Sequence, residues 1–358
     1  MSTRPRVSFD QDGRCNACVW NENKKKVDWQ KRAAELELLL DRHRRSDGTP
    51  DCVVPVSGGK DGSYVFHQLK TNWGMNPIAV TIQPPLPLDI GERNLRNFVD
   101  SGVNHVGISP SSFAMRELNR RGLVEMGFPY YGWLVSIFVT VINTAHRFGC
   151  NLVFYGEDGE VEYGGSIETQ KSPIFGIEYL KRVYLEAGHE KVLKSSGLDD
   201  SELYFFRFLP ELETKSSTME LTHWSYFEDW DPYRNYLVAK EFYGLEEAEG
   251  SNAGTFTNFA QNDQALYALH TYLMYLKFGF GRANQDASIE IRRGAMSREQ
   301  AVQLVRLYDG QYPEDFEQLY LDYFSMTHDE FFDVLRKWTN ASLFTIEGDK
   351  ITPRFTVV

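Results

Sequence analysis

Val53-Val54-Pro55-Val56-Ser57-Gly58-Gly59-Lys60-Asp61-Gly62-Ser63 is the stretch that decides the fold. Its first part continues a short apolar run from Asp51, rich in β-branched residues, which reads as a buried strand. Its last part opens a helical pattern carried by Tyr64, Val65 and Leu69. Between them lies a turn made for an anion. Gly58 and Gly59 let the backbone curl so that successive N–H groups of Ser57 to Ser63 converge on one concavity. The helix start adds the positive end of its dipole. Ser57 supplies a hydroxyl and Lys60 a positive charge, so the turn is a cradle for phosphate oxygens. Asp61 can cap the helix or help hold a magnesium ion. Gly62 and Ser63 complete the turn.

The same alternation continues outward. Residues 77–82 read as a strand, 90–101 as a helix, 103–108 as a strand, 133–148 as a helix and 151–155 as another buried strand. Apolar strands alternating with helices predict a doubly wound parallel α/β sheet covered on both faces. Upstream, Trp29, Ala33, Leu36, Leu39 and Leu40 recur at helical spacing. Beyond about residue 175 the strand signal fades. Residues 257–278, 297–308 and 328–338 read as helices, while 186–256 is aromatic and acidic and gives no clear pattern. The expected organisation is a Cys-containing segment and helix over 1–44, the α/β domain over 45–180, and a mainly helical region over 181–358.

Composition narrows the partners. Of 358 residues, 42% are hydrophobic and 25% charged, the balance of an ordinary globular protein. The formal net charge of -12 argues against a general nucleic-acid-binding surface. The dense basic runs, Asn23 to Lys26 and Arg42 to Arg45, read as solvated helix faces or ends. The longest apolar stretch, around 133–142, is interrupted by Ser136 and Thr140 and is too short to span a bilayer. No basic-then-apolar leader opens the sequence, and four cysteines make no disulfide framework. The cytoplasm is the expected compartment.

The turn is not the common P-loop, which needs Gly, four residues, then Gly-Lys-Ser/Thr; the position five before Gly59 is Val54, and Asp61 follows the lysine. Ser57-Gly58-Gly59-Lys60-Asp61 resembles instead the signature of the ATP pyrophosphatases, the PP-loop superfamily. That resemblance implies ATP and Mg2+ as cofactors, and cleavage of ATP between its α and β phosphates, with the loop gripping pyrophosphate. It also implies that the next strand, at Val80 and Thr81, lies against the adenine.

Further pieces narrow the likeness. Thr3 to Asp10, Gly13 and Cys15-Asn16-Ala17-Cys18 are similar to the start of the N-acetyl sugar amidotransferase family. Ile90 to Leu95, Gly156-Glu157 with Glu162-Tyr163-Gly164-Gly165, Lys277 to Ala283, Ser288 to Arg292 and Ser297-Arg298-Glu299 continue the match. This family is implicated in acetamidino sugars of bacterial surface polysaccharides, such as lipopolysaccharide O-antigen. The implied substrate is an N-acetyl sugar or nucleotide sugar. Adenylating its acetamido oxygen makes AMP the leaving group, and ammonia then gives the amidine.

Ammonia from this chain itself would need a nucleophilic cysteine. Position 2 is Ser, and neither Cys52 nor Cys150 sits in a Gly-x-Cys-x-Gly elbow, so a separate donor is expected. The resemblance implies a partner glutaminase with a cyclase-like channel subunit.

Other candidates follow from position. Glu157, Asp158, Glu160 and Glu162 cluster just after a strand, where a parallel sheet places its ligand crevice. Glu157 follows the strand most closely and is the candidate metal ligand or orienting carboxylate, alongside Lys60 and Asp61. A solvated acidic turn is the plain alternative. Glu162, Tyr163 and Gly164 are candidates for substrate contact. So are Lys277 and Arg282, which can bind phosphates or a carboxylate, or simply complement a helix dipole. Cys15 and Cys18 are half of a zinc site; the family's pattern has another CxxC upstream, and the sequence begins at Met1 without it. Two rival functions are another ATP pyrophosphatase, such as a tRNA thiolation enzyme, and a non-catalytic nucleotide-binding module. The first would need a basic face and a working cysteine.

Overall fold

The computed structural model describes residues 3–214 and 218–358; Ser2 lies outside them. The apolar run at the head of the turn is β1 (Cys52–Pro55). It pairs in parallel with β2 (Pro77–Ile82), Cys52 opposite Pro77 and Pro55 opposite Val80. On its other side lies β4 (Leu152–Tyr155), also parallel. Beyond β2 runs β3 (His105–Ile108), and beyond β4 runs β6 (Glu220–His223). A two-residue strand, β5 (Ile174–Phe175), closes that edge antiparallel to β6. The order is β3-β2-β1-β4-β6-β5. Direction of winding reverses between β1 and β4, so the turns after these two strands open on one crevice.

Both faces of the sheet are dry, which explains the unbroken apolar character of its strands. Val53, Val80, Val153 and Leu221 face one way, against the helices Ser112–Met126 and Tyr131–Arg147. Cys52, Val54, Ala79, Leu152 and Phe154 face the other. There they meet Leu36, Leu39 and Leu40 of the Trp29–His43 helix and Tyr64 to Phe66 of the Lys60–His67 helix. The doubly wound α/β fold with a mainly helical C-terminal region is therefore as expected, apart from the antiparallel edge. Cys52 and Cys150 are buried core residues. No helix of the described residues is long and apolar enough to cross a membrane.

Three local expectations are corrected. The helix expected over 257–278 begins only at Leu266. Residues 257–265 instead form a strap fixed by tertiary bonds: Leu88 N–H donates to Asp263 O at 3.2 Å, and Ala265 N–H to Leu86 O at 2.9 Å. Phe259, read as a helix-core position, stacks on Tyr236 from outside that helix. The patternless stretch 186–256 contains β6 and the Pro232–Tyr243 helix, which packs along Lys60–His67. A terminal hairpin, β7 (Phe344–Glu347) with β8 (Lys350–Pro353), had no sequence signal.

Candidate active site

The cradle forms because β1 stops at Pro55 and a helix starts five residues later. Gly58 has φ +81, a conformation costly for any other residue. A Cβ there would lie 2.3 Å from Leu95 N, on the Asp89–Asp100 helix. Gly62 is held as tightly, since a Cβ would lie 2.6 Å from Pro55 O. Gly59 is the N-cap and has no side chain to cap with. Asp61 is thus not the cap; its carboxylate pairs with Lys60 and accepts from Asn235 Nδ2 at 3.1 Å. Asn235, fully buried on the Pro232–Tyr243 helix, fixes that carboxylate.

Three cavities meet at this turn. The first, of 300 Å³, is lined by Ser57, Gly59, Lys60, Asp61, Asp263 and Arg282 among others. The second, of 320 Å³, runs from Ser57 and Thr81 past Gln83 to His105 and Arg96. Thr81 donates its hydroxyl to Val56 O, and His105 Nε2 lies 2.9 Å from Thr81 Oγ1. Val80 does not reach this cavity: it is core, and its carbonyl accepts from Val56 N–H at 2.9 Å. Gln83, just past the strand, takes its place at the wall.

The third cavity, of 370 Å³, shares Lys60, Asp61 and Arg282 with the first. Glu157 and Tyr163 stand in it, with Tyr233, Phe256 and Phe259 as aromatic walls. Tyr163 donates its hydroxyl to Glu157 Oε2 at 2.7 Å. Burial, and then the charge of Asp61, push the Glu157 carboxyl up to about 7. Burial also disfavours charge on Arg282, yet Asp286, Tyr163 and Glu157 outweigh it and hold the guanidinium charged. Arg282 Nε donates to Asp286 Oδ1 at 2.8 Å.

Several expected residues lie elsewhere. Glu162 is not at the cavities; it accepts from Trp20 Nε1 at 2.9 Å and pairs with Lys24 Nζ at 2.7 Å. Gly164 is a left-handed helix end, and a Cβ there would meet Asn16 Oδ1 at 2.9 Å. Both residues dock the N-terminal segment. Ser63 points into the core, fully buried, with its hydroxyl unpartnered. Lys277 donates to Met126 O at 2.9 Å and lines a different cavity. Asp158 caps the short helix Gly159–Tyr163, accepting from Glu160 N–H at 3.1 Å, and also accepts from Tyr184 OH. Glu160 is clamped by Arg6 at 2.7 Å. Of the acidic turn, only Glu157 faces the cavities that meet at the Ser57–Asp61 turn. Cys15 and Cys18 start the Asn16–Lys24 helix, and no metal-binding group of three or more His, Cys, Asp or Glu occurs among the described residues. The two thiols remain half a ligand set.

Asp263 is the residue that sequence reading missed. It lines both the first and second cavities, with its carboxyl beside Ser57. Burial raises its carboxyl, with Ser57 and Lys60 opposing. Its only sequence signal was the polar run Gln261-Asn262-Asp263-Gln264, which is unlike a buried helix.

Residues 253–354 match the family described as LPS biosynthesis protein WbpG-like, C-terminal domain. This C-terminal stretch is similar to that domain. Asp263 and Arg282 both lie in it, so the WbpG-like stretch supplies one wall of the cradle. No curated protein matches the chain. Among solved structures, the U34-tRNA thiolase NcsA from Methanococcus maripaludis, with its [4Fe-4S] cluster, is similar at 12% identity. The likeness covers 81% of this chain and 80% of that one with a TM-score of 0.36.

Proposed function

We propose that this chain is an ATP pyrophosphatase-type enzyme of surface-polysaccharide biosynthesis, converting the acetamido group of an N-acetyl sugar to an acetamidino group. The observation that carries this reading is the meeting of three cavities at the Ser57–Asp61 turn. A phosphate cradle there opens on one side to a 320 Å³ cavity and on the other to an aromatic-walled cavity containing Glu157. A nucleotide spanning the first two would point its α-phosphate at a sugar in the third.

In the proposed reaction the acetamido oxygen attacks the α-phosphorus, and the bond to the bridging oxygen of pyrophosphate breaks. Ser57, Lys60 and the backbone N–H groups of 58–62 hold the leaving charge. Ammonia then adds to the activated carbon, the carbon–oxygen bond breaks, and AMP leaves. Glu157, poised near neutrality, accepts the proton that the attacking amine must shed. Tyr163 orients Glu157, and Arg282 balances charge between the two half-reactions.

Asp61 and Asp263 are the two carboxylates of the cradle, a donor set suited to magnesium shared with substrate phosphates. That ion, when bound, would neutralise charge on the departing pyrophosphate. Ammonia is proposed to come from a separate glutaminase with a channel subunit.

The test follows the fate of ATP. Protein is given ATP, magnesium, ammonium and a panel of N-acetyl sugars and their nucleotide forms. AMP and pyrophosphate formed only with one sugar, with a product about one mass unit lighter from exchange of O for NH, is the expected result. ADP and phosphate would sink the pyrophosphatase reading. ATP retained unchanged with every sugar and ammonium present would favour a binding module.

A further inference from the structure

A fourth cavity, of 270 Å³, lies apart from the three that meet at the Ser57–Asp61 turn. Its lining comes from distant parts of the chain and includes Arg4 and Arg6, Glu160, Glu186, and His270 with Lys277. The proposed reaction uses none of them. Three features make it a built site rather than a packing gap.

The first is charge. Arg4, Arg6 and Lys277 face two carboxylates, Glu160 and Glu186. Arg6 takes up both, at 2.7 Å and 3.3 Å. Arg4 Nη2 donates to Gly159 O at 3.2 Å and has only a long contact with Glu160, at 3.5 Å. Lys277 has no carboxylate within 4.0 Å among the described residues; it donates instead to Met126 O at 2.9 Å. A locally cationic pocket is unusual on a chain of net charge -12.

The second is unmet hydrogen bonding. Arg4 Nε and His270 Nδ1 are buried without a partner. Such groups are costly unless something satisfies them. Burial, with Lys277 and Arg282 nearby, pushes the His270 pKa down to about 3. The ring is therefore neutral, and one tautomer offers an Nδ1–H donor.

The third is backbone strain. Arg6 and Glu186, both in the lining, have φ of +65 and +50, and Ala187 follows at +52. Left-handed conformations in non-glycine residues persist where surrounding structure enforces them, and they gather at ligand sites.

We infer that this cavity binds a small oxyanion, a carboxylate or phosphate group held by Lys277, Arg4 and His270. Lys277 and Arg4 would supply charge-assisted hydrogen bonds, and His270 a neutral one. The site also has a route to the candidate active site. Arg4 lies 5.6 Å over the ring of Tyr163, which holds Glu157. An anion that draws Arg4 toward Lys277 would alter the setting of that pair. This second step rests on the proposed role of Glu157; the binding step does not.

The test must separate this site from the Ser57 cradle, which also attracts phosphate. In a Lys60→Ala background, inorganic phosphate and oxalate are titrated separately by calorimetry, one representing each source of oxyanion. The expected result is saturable binding of at least one probe, weakened tenfold or more by adding Lys277→Gln and largely kept by Lys277→Arg. Arg4→Gln is the second variant should Lys277→Gln fold poorly, as judged by circular dichroism. Histidine 15N resonances give a readout on the unaltered chain, where the His270 signal should shift with the same saturation. Absence of binding, binding indifferent to both variants, or a His270 signal unmoved at saturation would overturn the site. Binding that leaves the pH profile of the Glu157 reaction unchanged would overturn the coupling alone.

Discussion

Glu157 shows how a single carboxylate is tuned by where its strand ends. β4 delivers it into a half-buried crevice opposite Asp61, and both burial and that charge favour the protonated form. If it accepts a proton in the reaction, kcat/KM should rise with pH through about 7 and then level. Glu157→Gln should abolish that limb and lower turnover by about 10²-fold or more. The same residue carries a stability signature of definite sign. A carboxyl with a raised folded pKa favours folding only while protonated in the native state, so its contribution is lost as pH rises through about 7. Glu157→Gln should therefore raise the Tm at pH 8 and leave it nearly unchanged at pH 5. Lys60 gives a complementary test. Lys60→Ala should cost about 10²–10³-fold in AMP formation, with an unaltered circular dichroism spectrum. An equal loss of helix signal would assign Lys60 to folding instead.

At the level of elements, the strap over 257–265 decides whether the cradle is open or enclosed. It lies on Gly91, where a Cβ would come within 2.6 Å of Asn262 O and 2.8 Å of Asp263 Cα. Gly91→Ala should push the strap, and Asp263 with it, off Ser57. The expected outcome is a KM for ATP raised about tenfold, roughly 1.4 kcal/mol, with little change in Tm; an unchanged KM would remove the strap from nucleotide binding. This element also shows what sequence could and could not reveal. The β1 turn was legible because its chemistry is local: apolar run, two glycines, lysine, helix. The amphipathic helices at 29–43 and 328–338 were legible because one face is apolar at a fixed period. The strap was misread because Phe259 and Leu266 fall at helical spacing, while the bonds that hold it extended come from residues 86–88. β6 was missed because only four residues carry it, two of them Glu220 and His223. Glu162 was misplaced for a related reason. Tyr163 beside it faces the crevice, but its own partners are Trp20 and Lys24, some 140 positions away.

Across the whole molecule, the N-terminal segment and the WbpG-like domain close on the α/β core from opposite ends of the chain. Arg6 anchors the first through Glu160, whose carboxylate also accepts from Ser166 N–H at 2.7 Å. The Glu160 pKa is lowered, as Arg6 and the Ser166 N–H outweigh burial. Its contribution is therefore present above the unfolded carboxylate pKa and is lost as pH falls. Arg6→Ala should destabilise by about 1–3 kcal/mol in urea at pH 7 and by clearly less at pH 3.5. A protease should also cut before the Asn16–Lys24 helix sooner than in the unaltered protein. Equal losses at both pH values would mean that Arg6 acts through packing. The position of Asp263 has one more consequence, for synthesis. Ser57 to Gly62 leave the ribosome roughly 200 residues before the strap that covers them, a delay of about 10–40 s at about 5–20 residues per second. During that interval the nascent chain can present a finished phosphate turn without its lid or its second carboxylate, so a growing chain would hold nucleotide weakly and could not spend it.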